Sequence, residues 1–123
     1  MIKGTGIDIV EISRIQKSLN NEKFINRIFT QQEQAYCNSR NILRASSYAA
    51  RFAAKEAVVK AFGTGMRGGS WQDIEVVVDD SGAPHIKLHG YFAYSATKRK
   101  IYNIFLSLSH SKEYAIAQAI LEG

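Results

Sequence analysis

The chain opens on IKGTGIDIVE, where apolar side chains recur on alternate positions: Ile7 and Ile9 face one way, Asp8 and Val10 the other. That period of two predicts a strand, and it sets an aspartate among apolar neighbours. Ser13 with Gln16 matches a capping box and predicts a short basic helix, which NNEK at 20–23 interrupts before FINRIF. Thr30 with Glu33 repeats the signature for a further helix, while CNSRN at 37–41 follows no period and reads as a loop. Ser46 or Ser47 stands where a cap is wanted for a long helix from Tyr48 to Phe62. Alanine dominates this stretch, and Gly63 follows where a left-handed residue is favoured.

Beyond the flexible GTGMRGGS the period returns to two. DIEVVV and PHIKL flank DDSGA, the turn chemistry of a β-hairpin, and Pro84 begins the second strand, where a missing N–H does least harm. YFAYSATKRK predicts a helix with a basic end, and IFLSLSH and YAIAQAIL, separated by SKE, predict paired antiparallel strands. No repeat, linker or low-complexity tract appears. The expectation is one α+β domain spanning residues 1–123, with an antiparallel sheet packed on the long central helix.

Composition narrows the class of function without naming it. With 123 residues, 46% hydrophobic and 22% charged, the chain suits one core and is neither disordered nor fibrous in character. Sixteen Lys and Arg against 11 Asp and Glu give a formal charge of +5, which favours an anionic partner: nucleic acid, a phosphorylated cofactor or an acidic protein. The basic residues are scattered and no binding motif or aromatic stacking strand appears, so nucleic acid is not expected. The single cysteine, Cys37, allows no intramolecular disulfide. The start of the sequence lacks leader character and the apolar runs are too short to span a membrane, so the expectation is a cytoplasmic protein.

Candidate chemistry gathers on the long helix. Glu56 and Lys60 lie four residues apart on a surface that is otherwise nearly all apolar. One reading is a helical ion pair, worth about 0.2–0.5 kcal/mol. The other makes Glu56 a ligand of magnesium, with Asp8 as second carboxylate and Lys60 as a point charge against phosphate. Gly63, Thr64 and Gly65 follow directly, a turn whose backbone N–H groups can approach a phosphate. Spacing alone does not bring positions 8 and 56 together, and both readings stay open. His110 ends an alternating run and is either a strand-end histidine or a phosphate contact or proton acceptor. His85 and His89 show no metal spacing, and zinc is not expected.

GIDIVE at 6–11, RFAAKEAVVKAFGTG at 51–65, DIEVVVDDSGAPHI at 73–86 and SLSHSKEYAIAQA at 107–119 together resemble, in that order, the bacterial holo-acyl-carrier-protein synthases of the phosphopantetheinyl transferase family. The resemblance covers almost the full length. It implies the phosphopantetheinyl transferase fold and magnesium-dependent transfer of the 4′-phosphopantetheine arm of coenzyme A to a serine of apo acyl carrier protein. Adenosine 3′,5′-bisphosphate is released, and the holo carrier supports fatty acid biosynthesis. By the same resemblance Asp8 and Glu56 are metal ligands, Lys60 meets the phosphates beside the 63–65 turn, and Arg51, Pro84, Ser109 and His110 lie near coenzyme A. It further implies a homotrimer with sites between subunits. The carrier is acidic, so Arg14, Lys17, Lys23 and Arg27 are its expected docking surface.

Overall fold

The computed structural model describes residues 1–123. Strand β1 (Ile2–Glu11) forms one edge of a three-stranded antiparallel sheet, with β5 (Tyr114–Glu122) in the middle and β4 (Asn103–His110) at the far edge. The expected alternation holds. Pairing sets Gly6 opposite Ala119 and Asp8 opposite Ala117, while Leu108 of β4 meets Ala117 from the other side. One face of the sheet is therefore lined by small residues, and Ala115, Ala117 and Ala119 are wholly buried. The opposite face carries Ile7, Ile9 and Phe105, which are 63%, 57% and 54% exposed.

Against the small-residue face lies α4 (Arg44–Phe62), the long helix. Ala53, Ala54 and Ala57 are fully buried, and so is Val58, whose burial contributes about 1.5–3 kcal/mol. Gly63 closes the helix in the left-handed conformation, φ 77°, as expected. The start is earlier than expected, and neither Ser46 nor Ser47 caps it. A 3-10 turn at Asn41–Leu43 feeds straight into Arg44, and the Ser46 hydroxyl instead donates to the Leu43 carbonyl at 3.0 Å. Residues 37–41 are correspondingly more ordered than a loop.

Three short helices, α1 (Ile12–Ser18), α2 (Glu22–Ile28) and α3 (Gln31–Asn38), cover the N-terminal half of α4. The Thr30–Glu33 capping box of α3 is present as expected. The one expected at Ser13 is not: α1 begins at Ile12, whose N–H finds its acceptor in the Glu113 carbonyl at 2.9 Å, across the chain. Helix α2 takes in Glu22 and Lys23, because Asn21 caps it by accepting from the Lys23 N–H at 2.9 Å. The hairpin of β2 (Ile74–Val78) and β3 (Pro84–Leu88) forms its own two-stranded sheet, and α5 (Gly90–Lys98) follows it. Its turn is held by Asp79, whose Oδ1 accepts from the N–H groups of Ser81 and Ala83 at 2.9 and 3.0 Å.

A buried ion pair joins these layers. Lys55, with no exposed surface, donates to Glu33 at 2.9 Å and to the carbonyls of Trp71 and Ile74 at 3.1 and 2.6 Å. Glu33 also accepts from the Val76 N–H at 2.8 Å. Helices α3 and α4 and the entry to the hairpin are thus tied at one point, and every hydrogen bond of the lysine is made internally, as a buried charge requires.

Candidate functional site

Strand β1 and helix α4 bring three charged side chains together. Asp8 projects from the helix-facing side of its strand, and Lys60 reaches back from the last turn of α4. The Lys60 ammonium donates to Asp8 Oδ1 at 2.9 Å and to the Ile7 carbonyl at 3.1 Å. Lys60 thus pairs with Asp8 rather than with Glu56, so the helical ion pair considered from sequence is replaced by one between elements. Asp8 Oδ2 is buried and accepts no hydrogen bond. Half-buried Glu56 stands one turn before Lys60. Burial raises its carboxyl above the ordinary value of 4.5, the charge of Asp8 adds to the rise, and Lys60 opposes it.

Two carboxylates near enough for the charge of one to raise the pKa of the other, one of them with an unpartnered buried oxygen, make a locally negative pair. The donors are hard oxygens, and magnesium takes one or two carboxylates and completes its shell with water and phosphate. The residues fit that ion. They do not make a cage of several protein ligands, since no group of three or more His, Cys, Asp or Glu side chains converges anywhere in the chain. The turn after the helix lies beside Lys60. Gly63, Thr64 and Gly65 are all exposed, and the Gly63 N–H is taken by the Val59 carbonyl at 3.2 Å. Nothing approaches a Cβ built on Gly65 within 4 Å, so space there is open.

The other expected residues assemble elsewhere. Arg51, Pro84, Ser109 and His110 line one groove of about 390 Å³ between the first half of α4, the hairpin and the end of β4. Arg51 is 6% exposed, its guanidinium lies 4.3 Å from the centre of the Tyr36 ring, and its Nε has no partner. No acidic side chain lines this groove. Its charged lining is therefore basic only. Tyr36 and Arg40 also line it, as do Ser46 and Ser47. Sequence reasoning missed the first two, which sit where the pattern is mute, and assigned the serines to capping.

The groove includes none of Asp8, Glu56 and Lys60. Arg51 and Lys60 are nine residues apart on one helix, about 13 Å along its axis and on opposite sides of it. Within one chain the expected site residues are therefore two clusters. Of the expected docking residues, Arg14 lines a mostly apolar cavity of about 340 Å³ with Ile9, Phe24, Phe52 and Tyr114. Lys17, Lys23 and Arg27 are exposed outside it. Burial pushes the Cys37 thiol up to about 11, so it stays protonated and unreactive.

Against this geometry the comparisons are decisive. The model of the 4′-phosphopantetheinyl transferase superfamily matches residues 4–119. The chain belongs to that superfamily. Within it the chain is 50% identical to a holo-[acyl-carrier-protein] synthase of Alkaliphilus metalliredigens, over 98% of both chains. The crystal structure of the holo-[acyl-carrier-protein] synthase from Neisseria meningitidis superposes with a TM-score of 0.91 at 32% identity, covering 100% of each chain. That of the Bacillus anthracis synthase, solved in complex with CoA (3′,5′-ADP), gives a TM-score of 0.81 at 41% identity over 98% of this chain and 96% of that one. The transferase fold expected from the motifs, an α+β arrangement on a long helix, is the one observed.

Proposed function

We propose that this chain is a holo-acyl-carrier-protein synthase, which moves the 4′-phosphopantetheine group of coenzyme A onto a serine of apo acyl carrier protein and releases adenosine 3′,5′-bisphosphate. The observation that carries the reading is the Asp8–Glu56–Lys60 cluster, with its unpartnered Asp8 oxygen, in a chain with a groove that arginines and no acidic side chain line. Relatives bearing that activity in their names, one solved with CoA, support it.

Asp8 and Glu56 would hold magnesium. When bound, that ion supplies positive charge to the pyrophosphate, whose displacement depends on electrostatic stabilisation more than on covalent help. Lys60 adds a fixed cation on the same side, and the exposed N–H groups at Thr64 and Gly65 face where phosphate oxygens approach. Arg51, with Pro84, Ser109 and His110, receives the nucleotide end. The serine proton leaves to Asp8, Glu56 or His110 through water, and the geometry of the free chain favours none of the three. Arg14 on α1, three residues past the end of β1, takes the acidic carrier, with Lys17, Lys23 and Arg27 extending the positive surface.

The separation of the two clusters supports a homotrimer in which the carboxylates of one copy meet the groove of the next. Ile7, Ile9 and Phe105, with Tyr114 and Ile116 (42% and 39% exposed), form an apolar sheet face suited to cover such an interface. No helix is long and apolar enough to cross a membrane. We assign residues 1–123 to one transferase domain working in the cytoplasm for fatty acid biosynthesis.

The test is direct. The protein is incubated with coenzyme A, magnesium and apo acyl carrier protein, and the carrier is weighed by mass spectrometry. A gain of one phosphopantetheine on the serine is expected. No gain with several carriers, or salt-sensitive binding to random nucleic acid without coenzyme A binding, overturns the reading.

A further inference from the structure

The separation between Asp8 and Glu56 is set by something neither residue contributes. Asp8 has a short side chain, one methylene long, and reaches Lys60 and the neighbourhood of Glu56 only because β1 lies against the backbone of α4. Gly6, two residues before Asp8 on the same face, is buried. A Cβ at that position would overlap the Ala57 carbonyl oxygen and stand 2.8 Å from the Ala61 nitrogen. Ala57 directly follows Glu56 on the helix. Gly4, one pleat earlier, would overlap the Ala61 carbonyl oxygen in the same way. The φ angle of Gly6 is not in the left-handed region, so glycine is needed there for space and not for conformation.

We infer that Gly6 is a positioning residue for the carboxylate pair: the missing side chain holds β1 against Ala57 and so sets the distance at which Asp8 faces Glu56. Ordinary carbon contacts are about 3.5–4.0 Å. Any side chain at position 6 must therefore part strand and helix by a good fraction of a bond length or more, within two residues of Asp8 and one of Glu56. Magnesium demands ligand distances of about 2.0–2.1 Å and tolerates little deviation. The rest of the helix-facing row, Ala115, Ala117 and Ala119 opposite Val10, Asp8 and Gly6, keeps the whole sheet at the same close approach. A longer acidic side chain at position 8 is the complement of a wider gap.

The inference rests on the metal reading above, and the experiment separates the two. Magnesium binding is measured by calorimetry on the full-length protein, without coenzyme A, for wild type, Asp8→Asn, Gly6→Ala, Asp8→Glu and the double variant Gly6→Ala/Asp8→Glu; folding is followed by circular dichroism. Asp8→Asn should lose binding; if it binds like wild type, the metal reading itself fails. Gly6→Ala should weaken binding about 10–100-fold, the size of effect seen for outer-shell partners. The double variant should regain most of that loss, a rescue that general destabilisation does not produce. Asp8→Glu alone should bind more weakly than wild type, because the native gap fits the shorter arm. Wild-type affinity in a folded Gly6→Ala, or an absence of rescue in a folded double variant, overturns the inference. Should the Gly6→Ala variants fail to fold, Asp8→Glu decides: undiminished affinity there also overturns it.

Discussion

The two charged clusters on α4 are built on opposite plans. Around Glu56 the elements touch: strand and helix backbones meet at Gly6 and Ala57, with no room for even one added carbon. Around Arg51 they stand apart, and residues of α3, α4, the hairpin and β4, Tyr36 and Arg51 among them, border a groove of about 390 Å³. The first cluster already holds a cation, Lys60, yet still has a bare carboxylate oxygen. The second has guanidinium groups and no carboxylate at all. One is thus deficient in positive charge and the other in negative charge, and under the proposed function a divalent ion bound to a polyphosphate would satisfy both. Under that proposal neither cluster alone is a complete site.

Disabling each cluster separately and then mixing the products tests whether they work across chains. Asp8→Asn should reduce transfer about 10²–10³-fold through kcat, since it removes charge stabilisation at the reacting phosphorus. Arg51→Ala should act mainly by raising KM for coenzyme A. If the carboxylates of one copy serve the groove of another, co-refolded mixtures of the two variants regain activity that neither shows alone. Steady-state transfer rates across a mixing series check this. A flat series would place both clusters of a working site in one chain, against the 13 Å offset on opposite sides of the helix.

A smaller effect, on stability, sharpens what the clusters share. Lys55 precedes Glu56 and ties α4 to α3 and to the hairpin that carries Pro84. Burial lowers its pKa from the ordinary 10.5, and the Glu33 carboxylate works against that fall. Lys55→Met should cost about 3 kcal/mol, because it strands Glu33 in a dry interior. Adding Glu33→Met should recover much of the loss, since an apolar pair of similar volume replaces two charges without an unpaired one. Urea denaturation midpoints for the single and double variants measure both numbers. A double variant no better than the single would mean that the pair is needed for packing geometry and not only for charge balance.

How much of this was legible depended on whether the cause was local. The strands, the hairpin turn and the Gly63 stop follow from period and turn chemistry within a few residues, and they appear where expected. The caps expected at Ser13 and at Ser46 or Ser47 failed for a non-local reason in one case and a neighbouring 3-10 turn in the other. Candidate residues were legible as types: Asp8 and Glu56 as misplaced acids, Lys60 as their cation. Their meeting was not, because the approach of β1 to α4 depends on a glycine whose value lies in what it lacks. Pattern reading reached only His110 of the groove, since the groove forms between four elements. Arg51, Pro84 and Ser109 were named through the family motifs, and Tyr36 and Arg40 lie outside those motifs.

The smallest expected effect concerns the support of the groove and is read from pH. Glu75 on β2 is nearly buried; its carboxylate accepts from the Thr30 hydroxyl at 2.7 Å and meets His89 Nε2 at 3.0 Å. Burial pushes its pKa up, but the Thr30 and His89 hydrogen bonds and the charges of His89 and Lys55 outweigh it, so the net shift is below the ordinary 4.5. A depressed carboxylate binds fewer protons in the folded state than in the unfolded one. Its stabilisation is therefore fully present above pH 4.5 and is lost as pH falls through the lower folded value. Glu75→Gln should cost about 1–2 kcal/mol at pH 7, the worth of hydrogen bonds to a charged acceptor. The gap to wild type should narrow steadily below pH 4.5, as the wild-type carboxyl takes up its proton. Unfolding free energies of the two proteins at pH 7 and at the lowest pH where both still fold are the measurement. A gap that widens on acidification would mean that Glu75 pays more for burial than its partners return, and that Pro84 is held against the groove by the β2–β3 pairing alone.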